Sequence, residues 1–372
     1  GAPRTPDELQ SIHRLHITPE SLPKLLNKSA SDLEMMFAGT KYAYVVIDEF
    51  STVLQSMLVS PTCKCDRKLR LDLFFRFIRN IPHLIILDAD LSDFDLGKIE
   101  SIRSDSVNVY CPKDMMSPWT NFELPGVGEL VRQASFDIDM DRTIFVSSDT
   151  KRHGCHTIAS ILRSTLPERD RDRIIVVDAE SKDKDLGAIV AYMKSENELG
   201  RPVLALVVSP TVVTGVDISA PLFDAVYTLL SGSTLSPFGA YQQMCRVRPK
   251  AMRGNHIRYI VVEQNPSESK DTRTLASHRE KVVDQLQRGK AWSGGAQPAF
   301  SANELDQRSS FGKLDVNTIP YFEEKLYQDF KSNIGKEGRF RDIFRAICTH
   351  RGDTWFVCTA KSQRSILRRA HQ

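Results

Sequence analysis

The stretch YVVIDEF, Tyr44–Phe50, sets two adjacent carboxylates directly after a short apolar run. Its first four residues have the composition of a buried strand, which ends at Asp48 and Glu49. Ligands of an open parallel α/β sheet bind beyond the carboxyl ends of its strands. At such an end, Asp48 would hold the hydration shell of Mg²⁺, and Glu49 would orient or deprotonate an attacking water. The alternative is a strand that ends in a solvated acidic turn, so this stretch needs supporting motifs.

Short apolar runs recur from residue 45 to residue 262, separated by segments long enough for crossover helices. This alternation predicts an α/β fold with parallel sheets that are covered by helices on both faces. The predicted strands are Val45–Ile47, Leu84–Leu87, Val107–Tyr110, Thr143–Val146, Ile174–Val177, Val203–Val208, Ala225–Leu229 and Ile257–Val262.

Changes in composition divide the chain into three predicted regions. The first domain is predicted at residues 3–115, and a loop-rich stretch with a PGVG turn separates it from a second domain at residues 140–265. Residues 266–372 form a third, mostly helical region, with helical periodicity from Tyr321 to Cys348.

The overall composition is ordinary and indicates no particular partner. A formal net charge of +3 and a pI near 8.4 are too mild for that, so any basic surface must be local. The seven cysteines form no evenly spaced framework, which favours a reducing compartment, cytoplasm or nucleus, over secretion. No apolar run reaches membrane-spanning length, so a membrane partner is not expected.

Four further motifs follow YVVIDEF in a fixed order. They are IILDADLSD at 85–93, IFVSSDTK at 144–151, LALVVSPTVVTGVDIS at 204–219 and AYQQMCRVRPK at 240–250. The first three each begin with a predicted strand. The fourth is predicted to be a helix that presents Gln242, Arg246 and Arg248, on which residues four apart share a face. Each motif alone is a weak signal, and their common order gives them weight.

These motifs supply further candidate site residues. Arginine suits the stabilisation of phosphate charge, because its fork stays protonated and matches phosphate geometry. Hydroxyl and lysine groups after a strand suit contacts with a sugar-phosphate backbone, although ordinary capping is the alternative. The candidates are Asp88, Asp90, Ser147, Ser148, Lys151, Thr214, Gly215, Asp217, Gln242, Arg246 and Arg248.

The ordered set resembles the superfamily 2 helicases, in which two RecA-like domains close on ATP and on nucleic acid. DEF matches their Asp-Glu motif II, DADLSD lies where motif III is expected, SPTVVTGVDIS is similar to motif V, and QQMCRVR is similar to motif VI. More narrowly, the set is similar to herpesvirus origin-binding helicases and to replication helicases of some plasmids and phages. LQSIHRL, Leu9–Leu15, is similar to their motif Ib, and the resemblance covers about residues 9–265.

This resemblance implies a replication helicase or translocase that hydrolyses ATP with Mg²⁺ at the cleft between two RecA-like domains. The implied partners are single-stranded or origin DNA, with RNA left open, and other replication proteins. The implied catalytic residues are Asp48, Glu49, Gln242, Arg246 and Arg248. The implied ATP contacts are Asp88, Asp90, Gly215 and Asp217, and the implied nucleic-acid contacts are Ser148, Lys151 and Thr214.

Two departures from the family pattern affect this expectation. The sequence contains no Gly-Lys-Ser/Thr phosphate loop, so the chain is expected to begin after it and to hydrolyse ATP weakly or not at all by itself. In motif VI, Arg248 follows Arg246 after one residue, and which arginine reaches the γ-phosphate stays open. The alternative function is an inactive helicase fold that binds nucleic acid or serves as a scaffold.

Two other features have alternatives of their own. Cys63, Cys65 and Cys111, or the RHGCH segment with His153, Cys155 and His156, could ligate zinc, but neither shows paired knuckles. Residues 336–372 carry a net charge of +6 with interleaved aromatics. That composition fits a nucleic-acid surface or a solvated terminus whose aromatic side chains belong to the core.

Overall fold

A computed structural model describes residues 44–59, 67–88, 91–103, 107–110, 119–178, 181, 186–209, 218, 220–232, 234–263, 274–287, 321–333 and 340–358. Within these ranges the side chains of residues 59, 67–69, 151–153, 186, 285–287 and 332–333 are not described. The chain divides into two compact units. Unit 1 comprises Gly1–Cys111 with Thr272–Asn333, and unit 2 comprises Pro112–Asp271 with Ile334–Gln372.

The described residues of unit 1 form two parallel strands and five helices. The strands pair in register from Tyr44 opposite His83 to Asp48 opposite Leu87, so both end at one edge of the sheet. Their order along the chain is β1 (Tyr44–Asp48), α1 (Phe50–Val59), α2 (Arg67–Asn80), β2 (His83–Leu87), α3 (Asp93–Arg103), α8 (Leu275–Gln287) and α9 (Phe322–Asn333).

Helix α1 forms because its apolar residues recur at helical spacing. Phe50, Leu54, Met57 and Leu58 are fully buried, and they pack with Ile47 in one core cluster. Helix α9 packs against α1 and α8. The C-terminal region therefore contributes to the unit that contains the DEF motif.

One face of the β1–β2 sheet differs from the prediction of helices on both faces. Its side chains Tyr44, Val46, Ile85 and Leu87 are apolar, yet they are 63%, 57%, 43% and 52% exposed. The opposite face carries Ile47, which lies in the core. Parallel sheets are usually buried on both faces, so this apolar face is an exception.

The two faces of β1 can be compared directly by mutation. Ile47→Ala should lower the free energy of unfolding by about 2–5 kcal/mol, because it leaves a cavity in the core. Val46→Ala, one residue away on the exposed face, should change it by less than about 1 kcal/mol. Urea unfolding with hydrogen exchange at β1 and β2 measures both. Equal losses would mean that the Val46 face is covered in solution.

Unit 2 is built on a seven-stranded sheet of order β5-β6-β4-β7-β8-β3-β9, in which all neighbouring strands are parallel. Its elements are β3 (Thr120–Glu123), α4 (Val127–Asp139), β4 (Ile144–Ser148), a π-helix (Lys151–His156), α5 (Thr157–Thr165), a 3₁₀ helix (Glu168–Arg173), β5 (Ile174–Val177), α6 (Leu186–Glu198), β6 (Ala205–Val208), β7 (Ala225–Leu230), α7 (Pro237–Met244), a 3₁₀ helix (Pro249–Ala251), β8 (Ile257–Val262), α10 (Phe340–His350) and β9 (Thr354–Val357).

Helices cover both faces of this sheet. Successive strand residues alternate between the two faces, so Ile144 and Val146 pack with α4 and α5, whereas Phe145 packs in a second cluster with α6. Helices α7 and α10 pack over β7 and β8 in a third cluster. The α/β fold class predicted from the sequence is therefore confirmed.

Seven of the eight predicted strands are present with small shifts at their ends. The strand predicted at Val107–Tyr110 is wrong, since this segment pairs with no strand among the described residues, and Val109 and Tyr110 are exposed. Strands β3 and β9 were not predicted. The first is polar in sequence, TNFE, yet three of its four residues are buried, and it lies inside the sheet between β8 and β9.

Helices α8 and α9 fall in unit 1, and α10 and β9 fall in unit 2. The limits predicted for three regions stay a prediction. Within the described part of the chain, no helix is long and apolar enough to cross a membrane.

Candidate functional site

Three carboxylates of unit 1 lie at the carboxyl ends of β1 and β2. Asp48 ends β1 and is exposed, and Asp88 follows β2 directly. The Ser51 backbone N–H and hydroxyl both donate to Asp88 Oδ2, at 2.7 and 2.5 Å. Asp88 thereby binds the first turn of α1, where the helix dipole favours a negative charge. The structure thus brings Asp48, Glu49 and Asp88 to one edge of one sheet.

Glu49 has a backbone conformation that side chains rarely adopt. Its φ is 51°, in the left-handed region. Its N–H donates to the Leu87 carbonyl at 2.7 Å, and its own carbonyl accepts from the Val53 N–H at 2.9 Å, which begins α1. Such strain, on the order of 1–3 kcal/mol, is found most often at functional sites. Glu49 is therefore presented by a tight strand-to-helix turn at the carboxyl edge, which the sequence did not predict.

The end of β4 in unit 2 is a buried turn. Ser147 lies within the sheet, where its hydroxyl is 3.1 Å from that of Thr228. Ser148 is also buried; its Oγ accepts from the Thr150 N–H at 3.2 Å, and its carbonyl accepts from Gln243 Nε2 at 3.3 Å. The predicted contact of Ser148 with a phosphate stays a prediction, and burial favours an indirect role in which Ser148 shapes the turn.

A π-helix follows this turn. π-helical turns are rare and frequently mark functional sites. Gly154 packs so closely over the turn that an added Cβ would lie 1.9 Å from Ser148 Oγ. Lys151 begins the π-helix, but its side chain lies outside the described structure. The backbone thus places Lys151 directly after the strand end that the sequence predicted.

The neighbouring Cys155 and His156 each contact a protein group. Cys155 is buried and donates to the Val208 carbonyl at 3.0 Å, and burial raises its pKa to about 12. His156 Nε2 lies 2.7 Å from Asp178 Oδ2. Groups of three or more metal-ligating side chains are absent among the described residues, while Cys63, Cys65 and Cys111 lie outside them.

Asp149 is a structural residue that the sequence did not single out, although it lies in the IFVSSDTK motif. Its carboxylate accepts from the Ser231 N–H at 2.8 Å, the Ser231 hydroxyl at 2.9 Å and the Gly232 N–H at 3.0 Å. Burial raises the pKa of Asp149, and these hydrogen bonds oppose that rise. Asp149 thereby fixes the end of β4 to the loop that follows β7.

The prediction that Gln242 and Arg246 share one helix is wrong. Helix α7 ends at Met244, Cys245 and Arg246 form a turn, and Arg248 is extended. Pro249 prevents a helix from continuing through Arg248, because it disfavours helical backbone at that residue, whose φ and ψ are −76° and 154°. Gln242 remains on the helix.

The arginine segment, residues Arg246–Arg248, follows the end of α7. Val247 forms a parallel bridge with Ile218: the Ile218 N–H donates to the Arg246 carbonyl at 2.9 Å, and the Arg248 N–H donates to the Ile218 carbonyl at 3.0 Å. Val247 is fully buried, whereas Arg246 is half-buried and Arg248 is exposed. The two arginines therefore flank a buried residue, and both are more exposed than that residue.

Several predicted residues lie outside the described residues. They are Asp90, Thr214, Gly215, Asp217 and the motif Ib segment Leu9–Leu15. Their roles stay predictions.

Comparison with known proteins gives a limited result. No protein-family model matches the sequence, and no curated protein matches it significantly. Among solved structures, the chain is similar to the DUF1998 helicase MrfA bound to DNA and AMPPNP, with 15% identity, a TM-score of 0.47 and coverage of 72% of this chain and 36% of that one. It is also similar to S. cerevisiae Dbp5 bound to RNA and ADP BeF3, with 14% identity, a TM-score of 0.41 and coverage of 63% and 57%.

A DEAD box protein from the hyperthermophile Methanococcus jannaschii is a third similar structure, with 11% identity, a TM-score of 0.35 and coverage of 69% of this chain and 59% of that one. The chain therefore spans less than two thirds of each of these proteins. These values are too low to support a conclusion about function, and the α/β class rests on the strand order of this chain.

Proposed function

We propose that this chain is the motor region of an ATP-dependent nucleic-acid helicase or translocase with two RecA-like domains. The observation that carries the proposal is the edge of the β1–β2 sheet, where Asp48, Glu49 and Asp88 gather and Glu49 is held in a strained turn. The ordered motifs of the sequence support the same function. A role in DNA replication or at origins rests on the motif resemblance alone.

The chemistry of ATP hydrolysis suits these groups. Phosphoryl transfer to water requires charge stabilisation and the positioning of one water molecule. Asp48 is exposed and offers the oxygen ligand that Mg²⁺ takes in proteins, so it fits the metal. Mg²⁺ supplies neutralisation of phosphate charge when it is bound. Glu49 would orient the water, and Arg246 or Arg248 would stabilise the charge that develops on the γ-phosphate.

The remaining assignments follow the motifs. Asp88, Asp90, Gly215 and Asp217 are proposed to contact the nucleotide. Of these, Asp88 also accepts two hydrogen bonds from Ser51, so it links β2 to α1. Gln242 lies at the end of α7 close to the arginine segment in sequence and is proposed to act with it.

Nucleic acid is proposed to bind at the strand ends of unit 2. Lys151 and Thr214 would contact phosphates, while Ser148 would maintain the shape of the turn that carries Lys151. Such contacts do not read bases, so DNA and RNA both remain candidates.

The alternative is a nucleic-acid-binding or scaffold module without catalysis. The sequence favours it in one respect, because it has no Gly-Lys-Ser/Thr loop to cradle the phosphates. A Gly-Lys-Ser/Thr loop encoded upstream of Gly1 in the native gene would favour the motor. A native start at Gly1 would favour the scaffold.

A phosphate-release assay with single-stranded DNA tests the proposal. We expect turnover near background for this chain, because the phosphate loop is missing from its sequence. Any turnover that is present should fall at least about tenfold with Glu49→Gln, since a positioned base contributes about 10²–10⁴. Glu100→Gln, at an exposed position on α3, is the matched control and should have no effect. Robust turnover that Glu49→Gln leaves unchanged would contradict the assignment of Glu49.

A further inference from the structure

Arg258 is a fully buried arginine in the middle of unit 2. It lies on β8, and its guanidinium stacks 3.8 Å from the centre of the Trp119 ring. Nη1 donates to Asp353 Oδ2 at 3.2 Å, and Nη2 donates to Cys245 Sγ at 3.7 Å. Burying such a charge carries a large desolvation penalty, which a partner of opposite charge must compensate. Asp353 is that partner.

Asp353 comes from the turn between α10 and β9, far along the chain from Arg258. Its N–H donates to the Cys348 carbonyl at 3.0 Å, and its Oδ2 also accepts from Asn121 Nδ2 at 3.2 Å. Burial raises the pKa of Asp353, while the charge of Arg258 opposes that rise. The ion pair thus joins the last strand of the sheet to its interior.

Cys245 connects this ion pair to the arginine segment. It is the residue after α7, and its N–H donates to the Tyr241 carbonyl at 2.9 Å. The next residue is Arg246. Among the described residues, three buried atoms of the cluster have no hydrogen-bond partner, namely Arg258 Nε, Asp353 Oδ1 and Asn121 Oδ1. A partly satisfied buried network is sensitive to the loss of any one member.

We infer that Arg258 and Asp353 are positioning residues for Arg246 and Arg248. Asp353 fixes the position of Arg258, and Arg258 holds Cys245 at the end of α7. Cys245 in turn sets where the arginine segment begins. The importance of this arrangement for catalysis rests on the proposed function. The geometric claim does not, because it concerns only the order of the segment. The C-terminal α10–β9 turn would then control the placement of the arginines.

Hydrogen exchange in the full chain tests the geometric claim. Asp353→Asn keeps the shape of the side chain and removes its charge. We expect the amides of Ile218, Arg246 and Arg248 to exchange at least about tenfold faster, while those of β4 and β6 keep their protection. Cys245→Ala, which leaves the ion pair intact, should give a smaller change at the same amides, and it decides the matter if Asp353→Asn does not fold.

The matched control is Asp137→Asn. Asp137 is also fully buried and also paired, with Arg142 at 3.0 Å and the Tyr227 hydroxyl at 2.6 Å, and it lies on α4. It should not accelerate the arginine segment selectively. Unchanged protection of Arg246 and Arg248 in both Asp353→Asn and Cys245→Ala, or a uniform loss across unit 2, would overturn the inference.

Turnover separates this inference from the proposed function. In a form of the protein that hydrolyses ATP, faster exchange with a lower kcat and an unchanged KM supports both. Faster exchange with an unchanged kcat would support the claim that Asp353 and Arg258 position the arginine segment. It would contradict the proposed catalytic role of Arg246 and Arg248.

Discussion

Replacing Gly154 by alanine is expected to destabilise unit 2 by about 3 kcal/mol or more and to disrupt the turn at Ser148. The added Cβ would lie 1.9 Å from Ser148 Oγ, 2.6 Å from Ser148 Cβ and 2.7 Å from Thr150 Oγ1. Ser148 ends a buried strand, so its Cβ cannot move aside without the backbone. Overpacking of this kind costs about 1–3 kcal/mol, and occasionally more where the neighbours are fixed. Urea unfolding measures the loss.

Two variants make this prediction specific. Gly128→Ala places the same methyl group on α4, where nothing lies within 4 Å, and it should be neutral or slightly stabilising. Ser148→Gly combined with Gly154→Ala removes the main clash and should restore part of the lost stability. A wild-type unfolding curve for Gly154→Ala alone would mean that the π-helix is not packed on Ser148 as described.

The second large effect is expected in the salt dependence of nucleic-acid binding. Contacts with phosphates release counterions, so log K falls with log salt at a slope of about −0.7 per phosphate neutralised on a single strand. A footprint of a few phosphates should therefore lose one to a few decades of affinity between about 50 and 200 mM salt. Different base sequences should be affected alike, because phosphate contacts do not read bases.

Lys151 supplies a variant for this second prediction. Lys151→Ala should weaken binding of all sequences and reduce the steepness of the salt slope by less than about one unit. Lys194→Ala removes the same charge from an exposed position on α6 and is the matched control. If both variants weaken binding equally, binding depends on the net charge of the protein and not on a phosphate contact at the strand ends of unit 2.

The sequence predicted most strands of both units from their apolar runs, but it missed β3 and β9. It failed where burial depends on distant partners. Glu123 is the clearest case, because a glutamate that ends a buried strand reads as a loop residue. In the structure Arg341 and Arg345 both pair with it, at 2.9 and 2.6 Å, and Trp355 Nε1 donates to it at 2.9 Å. These partners lie more than two hundred residues further along the chain.

The candidate site was predictable as residue types and less so as geometry. The sequence placed Asp48 and Asp88 at the ends of two predicted strands, and in the structure β1 ends at Asp48 and β2 ends at Leu87. It could not show the left-handed backbone of Glu49, which arises from the strand-to-helix turn, or the role of Ser51 as the donor to Asp88. For the arginines, Pro249 was a local signal that argued against a helix.

Single-strand binding measured at several salt concentrations tests the central claim most directly. Labelled DNA and RNA oligonucleotides would be titrated with the full chain, and binding would be followed by fluorescence anisotropy. The account predicts measurable binding at about 50 mM salt that weakens steeply towards 200 mM, with little dependence on base sequence. Absence of binding to either polymer at low salt, or binding that does not change with salt, would contradict it.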